Sequence, residues 1–275
     1  MNVLIEYIKQ YYIEIGIALL CIVLVLYFNS RNFYIWRLKW RDDHIVSIKS
    51  LGKHVNATDI IMSKIGDSIK EFNIIQHTKD NYTVLEIPNL LSHEECDEII
   101  KTSKENGMED STVLGYGNEV TIEKDEKYRK SKQVWLPDST GPIFQKIANI
   151  TEKLTKLPVE NQEMLQIVAY EEGGHFNEHF DGCVYNDKTY CDKINRNAGE
   201  RKATLLIYLN DNFEGGETEF VHLDIKIKPK KGNAILFINT TDAQINIEES
   251  MHCGHPVRNG QKWICTKWIH FNAFI

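Results

Sequence analysis

The chain has 275 residues, of which 42% are hydrophobic and 26% charged, and a formal net charge of -7. That length buries one sizeable core plus an appendage. An acidic balance without clustered Lys and Arg excludes nucleic acid as the main partner, and a neutral or basic peptide suits it better.

The run Ile15 to Phe28 is continuously apolar, and extending it back to Tyr11 adds Glu14 as its single charge. A helix over residues 11–28 is about 27 Å long, close to the roughly 30 Å hydrocarbon thickness of a bilayer. Tyr11, Tyr12, Tyr27, Phe28, Tyr34 and Trp36 flank it as interfacial aromatics do. No small-x-small cleavage site follows. Residues 1–41 are therefore expected to be a membrane anchor with one N-terminal transmembrane helix. Residues 42–80 carry no chemical motif and read as a stem, helical in part from Asp59 to Phe72.

A catalytic domain is expected over 81–275. Tyr82–Ile87 alternates as a strand. Ser92 and Glu95 have the spacing of a capping box, so a helix follows and runs towards Gly107. After Pro142, Ile143, Ile147, Ile150 and Leu154 recur at helical spacing until Pro158. From Glu163 the reading is nearly all strand: 164–170, 176–181, 203–209, 218–222, 225–227, 233–238 and 263–271. Short strands with Gly, Asn and Asp turns predict a mainly β fold with supporting helices, an antiparallel sandwich or barrel. The polar segment Cys183–Glu200 interrupts the sheet and reads as a lid over a substrate. Cys183 and Cys191 flank part of it and can close it in an oxidising compartment. Cys253 and Cys265 read as free buried thiols, and no cysteine pair has the C-x-x-C spacing of a structural zinc site.

The chemistry lies in the strands. His179 and Asp181 form an H-x-D pair, and residues i and i+2 of a strand point the same way, so both reach one metal. With His252 they make two histidines and one carboxylate, the set that leaves open positions on a non-haem Fe(II). Period two places Lys262, Ile264, Thr266 and Trp268 on one face of another strand. A lone ammonium on an apolar face needs a partner, and a carboxylate of a bound co-substrate is one.

These segments together resemble the prolyl 4-hydroxylase family. Tyr170 to Asp181 is similar to its Y-x-x-G-x-x-[YF]-x-x-H-x-D segment, and Arg201 to Asn210 to its R-x-x-T-x-L-x-Y-L-x strand. Gly215-Gly216-Glu217-Thr218 with Phe220 matches the G-G-E-T-x-F turn. His252, Pro256, Val257, Lys262 and Trp263, with Lys267 and Trp268, match the closing pattern. The likeness covers roughly residues 83–275. It implies a double-stranded β-helix (jelly roll) core and one Fe(2+) per chain on His179, Asp181 and His252. It also implies 2-oxoglutarate held by Lys262 in a pocket lined by Tyr170, Thr204 and Trp268, with O2 as the second co-substrate and L-ascorbate as reductant. The implied reaction is hydroxylation of C4 of peptidyl proline in collagen-like or other proline-rich sequences, with release of succinate and CO2. His255 stands where relatives usually carry cysteine or a small residue, three positions from His252. Two other readings are a hydroxylase of lysine or of a small molecule, and a catalytically dead, membrane-anchored binding module. Retention of all four polar site residues speaks against the last.

Sidedness is argued both ways. Arg31, Arg37, Lys39 and Arg41 follow the apolar run, which by the positive-inside rule puts the catalytic part in the cytosol. Asn56, Asn81, Asn149 and Asn239 begin N-x-[ST] sequons, and anchored members of the family it resembles face the lumen of the endoplasmic reticulum. The expectation carried forward is a lumenal glycoprotein.

Overall fold

A computed structural model describes residues 72–114, 122–184 and 188–275. The expected anchor, Asn56 and most of the stem lie outside the described residues. Among those described, no helix is long and apolar enough to cross a membrane.

In chain order the elements are β1 (Ile75–Lys79), β2 (Tyr82–Ile87), α1 (His93–Glu105), β3 (Glu109–Asp110), β4 (Arg129–Lys130), β5 (Lys132–Leu136) and α2 (Pro142–Thr155). Then follow β6 (Leu165–Tyr170), β7 (His175–His179), α3 (Lys188–Ile194), β8 (Arg201–Tyr208), β9 (Thr218–Phe220), β10 (Ile225–Ile227), β11 (Ala234–Ile238), β12 (His252–Gly254) and β13 (Lys262–His270). They build a large sheet in the order β1-β2-β11-β8-β13-β6-β5-β3 and a smaller one in the order β10-β9-β12-β7-β4. The pairings within both are antiparallel. β1 extends the large sheet into residues read from sequence as stem. It is an edge strand, and all its residues but His77 are exposed.

Chain patterning explains the order. β8 and β13 are buried almost end to end, as central strands covered on both faces must be. The charges β13 carries are therefore partnered: Lys267, fully buried, pairs with Asp138 at 2.5 Å. Period two holds along β13, and Lys262, Ile264, Thr266 and Trp268 all line one inner cavity. Gln166, Val168 and Tyr170 of β6 join them there, with Thr204 and Leu206 of β8.

The helices form as their caps dictate. Ser92 Oγ accepts from the Glu95 amide at 3.2 Å while Glu95 Oε2 accepts from the Ser92 amide at 2.8 Å, a reciprocal capping box. α2 starts on Pro142, whose missing N–H costs nothing in the first turn, and ends at Lys156 in the left-handed region. Both feed the core, α1 through Cys96 and Ile99, α2 through Ile143, Phe144, Ile147 and Leu154.

Candidate active site

His179 ends β7, His252 opens β12, and the two are cross-strand partners. Asp181 falls just past the end of β7, so strand periodicity alone does not aim it. Two long-range contacts do. Thr204 Oγ1 donates to Asp181 Oδ2 at 2.6 Å, and Arg201 donates to the Asp181 carbonyl at 3.1 Å. Asn239 Nδ2 in turn donates to Thr204 Oγ1 at 2.8 Å. With these in place His179 Nε2 lies 3.8 Å from Asp181 Oδ1, and His252 Nε2 lies 3.9 Å from Asp181 Oδ2.

The donor set fits a divalent iron. Nδ1 of His179 faces the Asn177 carbonyl at 2.7 Å and Nδ1 of His252 faces the Ser250 carbonyl at 2.9 Å. A proton held on each Nδ1 leaves each Nε2 as a lone-pair donor turned towards Asp181, the usual outer-shell arrangement of metal-bound imidazoles. Burial, reinforced by His252, pushes the His179 imidazole down to about 3 despite the opposing pull of Asp181, so it is neutral. Burial disfavours the Asp181 carboxylate, but both histidines, Arg201 and Thr204 outweigh it and lower its pKa. The Phe176 ring stacks on His179 with centroids 3.6 Å apart, and Phe237 meets His252 edge-on at 4.9 Å, which fixes both rings.

Lys262 lies deeper, 3% exposed. Its ammonium donates to the Gly216 carbonyl at 2.7 Å and sits 5.4 Å from the Tyr170 ring centre. Burial pushes its pKa down to about 8, against the pull of Glu217. A desolvated ammonium with a carbonyl as hydrogen-bond partner suits the carboxylate of a small acid. Tyr170, Thr204 and Trp268 line the same cavity. Thr204 does so with its hydroxyl donating to Asp181.

His255, three positions from His252, lies outside the triad, its Nε2 2.7 Å from Glu219 Oε2. Asn239 cannot carry a glycan in the folded chain, because it is fully buried and bonded to Thr204. Asn81 and Asn149 are exposed. Cys183 and Cys191 are joined by a disulfide, while Cys96, Cys253 and Cys265 are buried and outside any disulfide.

Glu163, Arg201 and Arg129, to which the sequence assigned no role, shape the site. Glu163 grips Arg201 through two bonds of 2.5 and 3.1 Å and accepts from His270 at 2.9 Å. The Arg201 guanidinium lies 3.7 Å over the Trp268 ring, so this cluster orients both the Asp181 backbone and the indole. Arg129 is buried, contacts Gln166 and Ser131, and lies 4.6 Å over the Phe176 ring. Outside the triad opens a cavity of about 590 Å³, walled by Tyr128, Arg129, Trp135, Val184 and Trp268.

Residues 165–270 match the 2OG-Fe(II) oxygenase superfamily. The chain is 34% identical over 191 residues to a putative prolyl 4-hydroxylase of Acanthamoeba polyphaga mimivirus, covering 68% of this chain and 73% of that protein. The chain belongs to the prolyl 4-hydroxylase family of 2-oxoglutarate- and Fe(II)-dependent dioxygenases. It is also 35% identical over 202 residues to prolyl 4-hydroxylase 2 of Arabidopsis thaliana, and spans 64% of that relative's length. Among solved structures it is similar to the viral collagen prolyl hydroxylase of Paramecium bursaria Chlorella virus-1 in its 2-oxoglutarate complex. The TM-score is 0.55 at 30% identity, covering 68% of this chain and 94% of that one. Its mainly β architecture is consistent with the jelly roll the resemblance implies, with the triad between its two sheets.

Proposed function

We propose that this chain hydroxylates C4 of peptidyl proline in collagen-like or other proline-rich sequences, using Fe(2+), 2-oxoglutarate and O2, with ascorbate as reductant. The observation that carries the reading is the paired site. A two-histidine, one-carboxylate triad adjoins a buried lysine on one side and an aromatic-walled cavity on the other.

His179, Asp181 and His252 hold the metal. Lys262 binds the far carboxylate of 2-oxoglutarate, with Tyr170 and Trp268 enclosing it. The indole N–H of Trp268 is buried with no partner among the described residues, and donates to bound acid or peptide. Bound iron supplies activation of dioxygen coupled to oxidative decarboxylation of 2-oxoglutarate. The protein's own part is to orient one C–H bond and exclude water. Tyr128 and Trp135 offer aromatic faces to pyrrolidine rings. An extended polyproline II segment loses little entropy on docking in such a groove. The loop from Cys183 onwards, tied by its disulfide, forms one wall and acts as lid.

Residues 11–28 anchor the chain in a bilayer with the catalytic domain in the lumen of the endoplasmic reticulum. The Cys183–Cys191 bond supports the oxidising side of the membrane, as do the exposed sequons at Asn81 and Asn149. Mass analysis of a proline-rich peptide tests the activity. A gain of about 16 Da on proline, matched by succinate release, is expected. A gain on lysine with proline untouched moves the chain to the other hydroxylase reading, and succinate without peptide oxidation refutes a peptide substrate.

A further inference from the structure

A second group of metal-ligating side chains shares no residue with the triad. Glu219 is the middle residue of β9, Cys253 is the middle residue of β12, and the two are cross-strand partners. His255 follows β12, with its amide fixed on the Glu217 carbonyl at 2.9 Å. That turn brings His255 Nε2 to 2.7 Å from Glu219 Oε2. One ligand atom from each of Glu219, Cys253 and His255 lies within 4.8 Å of the others. Glu219 and Cys253 are 7% and 9% exposed, and the His255 side chain, 32% exposed, leaves a path to solvent.

We propose that Glu219, Cys253 and His255 form a second divalent-metal site, selective for zinc. Thiolate, imidazole and carboxylate are the donor types zinc takes, and the thiolate disfavours magnesium and calcium. Bond lengths of about 2.0–2.3 Å put neighbouring ligands of a tetrahedral zinc roughly 3.3–3.8 Å apart. The cluster reaches that spacing by side-chain adjustment: the His255–Glu219 hydrogen bond opens to admit the ion, and Cys253 closes in. Three protein ligands leave a fourth position for water on the exposed His255 side. Lys226 lies 3.5 Å from Glu219 on a side chain that is half exposed, so it swings out as zinc takes over the carboxylate charge. The spacing of Cys253 and His255 in sequence could not signal the site, because the third ligand comes from the neighbouring strand.

Zinc and cobalt(II) titrations of the metal-free full chain test this. Zinc also fits the catalytic triad, so the wild type should bind two zinc ions per chain and Asp181→Ala, Cys253→Ser and His255→Gln one each. The triad contains no sulfur, so a thiolate-to-cobalt charge-transfer band reports the second site alone. It should appear in the wild type, persist in Asp181→Ala and vanish in Cys253→Ser. Zinc retained at the triad shows that Cys253→Ser and His255→Gln are folded; if one variant fails to fold, the other decides. Absence of the band in the cobalt-loaded wild type overturns the site. So does a zinc count that stays at two in a folded Cys253→Ser or His255→Gln chain.

Discussion

Thr204 Oγ1 donates to Asp181 Oδ2 at 2.6 Å, so the carboxylate of the triad is positioned from the neighbouring sheet and not by its own strand. The hydroxyl is buried and backed by Asn239, which leaves it little freedom to turn away. Thr204→Val keeps the shape of the side chain and removes the bond. Outer-shell losses of this kind lower metal affinity by about 10–100-fold. The expected result is weaker iron binding by competition with a chelator, with the Michaelis constant for 2-oxoglutarate changing much less. Equal weakening of both would give Thr204 a direct part in holding the co-substrate.

The triad itself gives the next expectation. His179→Ala, Asp181→Ala and His252→Ala should each abolish 2-oxoglutarate turnover, whereas His255→Ala should leave substantial activity. His255 faces Glu219, not Asp181. Loss of iron in His255→Ala with iron retained in His252→Ala would reassign the third ligand.

Lys262 links the co-substrate to pH. Burial lowers its pKa to about 8, so in the free enzyme the ammonium is charged below that value and neutral above it. A dicarboxylate binds the charged form, and its affinity is therefore full below pH 8 and falls about tenfold per unit above it. Lys262→Arg should flatten this dependence, because a guanidinium stays charged. Removing one partner of a buried charge pair costs about 3–5 kcal/mol, so Lys262→Ala should raise the 2-oxoglutarate requirement by about two to four orders of magnitude. An unchanged Michaelis constant in Lys262→Ala would sink the assignment.

Sequence reached these residues unevenly, for physical reasons. His179, Lys262 and the capping box at Ser92 depend on near neighbours in the chain and on fixed periods, so they were legible. The face shared by Lys262, Ile264, Thr266 and Trp268 held because β13 is a regular strand. Contacts set by register between distant strands were not legible. Thr204 meets Asp181 across 23 residues, Arg201 meets Glu163 across 38, and Glu219 meets His255 across 36. Asn239 read as a glycan acceptor because a sequon carries no record of burial, and in the fold it braces the metal site.

Glu163 makes acid stability testable. Burial alone would raise its pKa, but Arg201 and His270 hold the carboxyl down at about 2 from an ordinary 4.5. A depressed carboxyl stabilises the fold fully above its unfolded value, and that contribution is lost as pH falls from 4.5 towards 2. The shift corresponds to about 3 kcal/mol at neutral pH. Glu163→Gln should melt well below the wild type at pH 7, and the gap should close progressively below about pH 4. A gap independent of pH would mean that shape, not charge, is what Glu163 contributes.

The last prediction concerns the lid. Cys183 lies two residues beyond Asp181. Its amide donates to Glu200 at 2.8 Å, and its carbonyl accepts from Asn246 at 2.7 Å. Those bonds fix the near end of the loop to the site without help from the disulfide. The bond to Cys191 ties the far part, α3, back onto that fixed end, where Ile194 and Asn195 line the large cavity. Breaking it by Cys191→Ser should free the lid and leave the triad in place. The Michaelis constant for a proline-rich peptide should then rise severalfold, while peptide-independent decarboxylation of 2-oxoglutarate and iron content stay near the wild-type level. Mild reductant should reproduce the effect in the wild type and add nothing to Cys191→Ser. If decarboxylation and peptide hydroxylation fell together, the loop would be supporting Asp181 rather than covering the substrate.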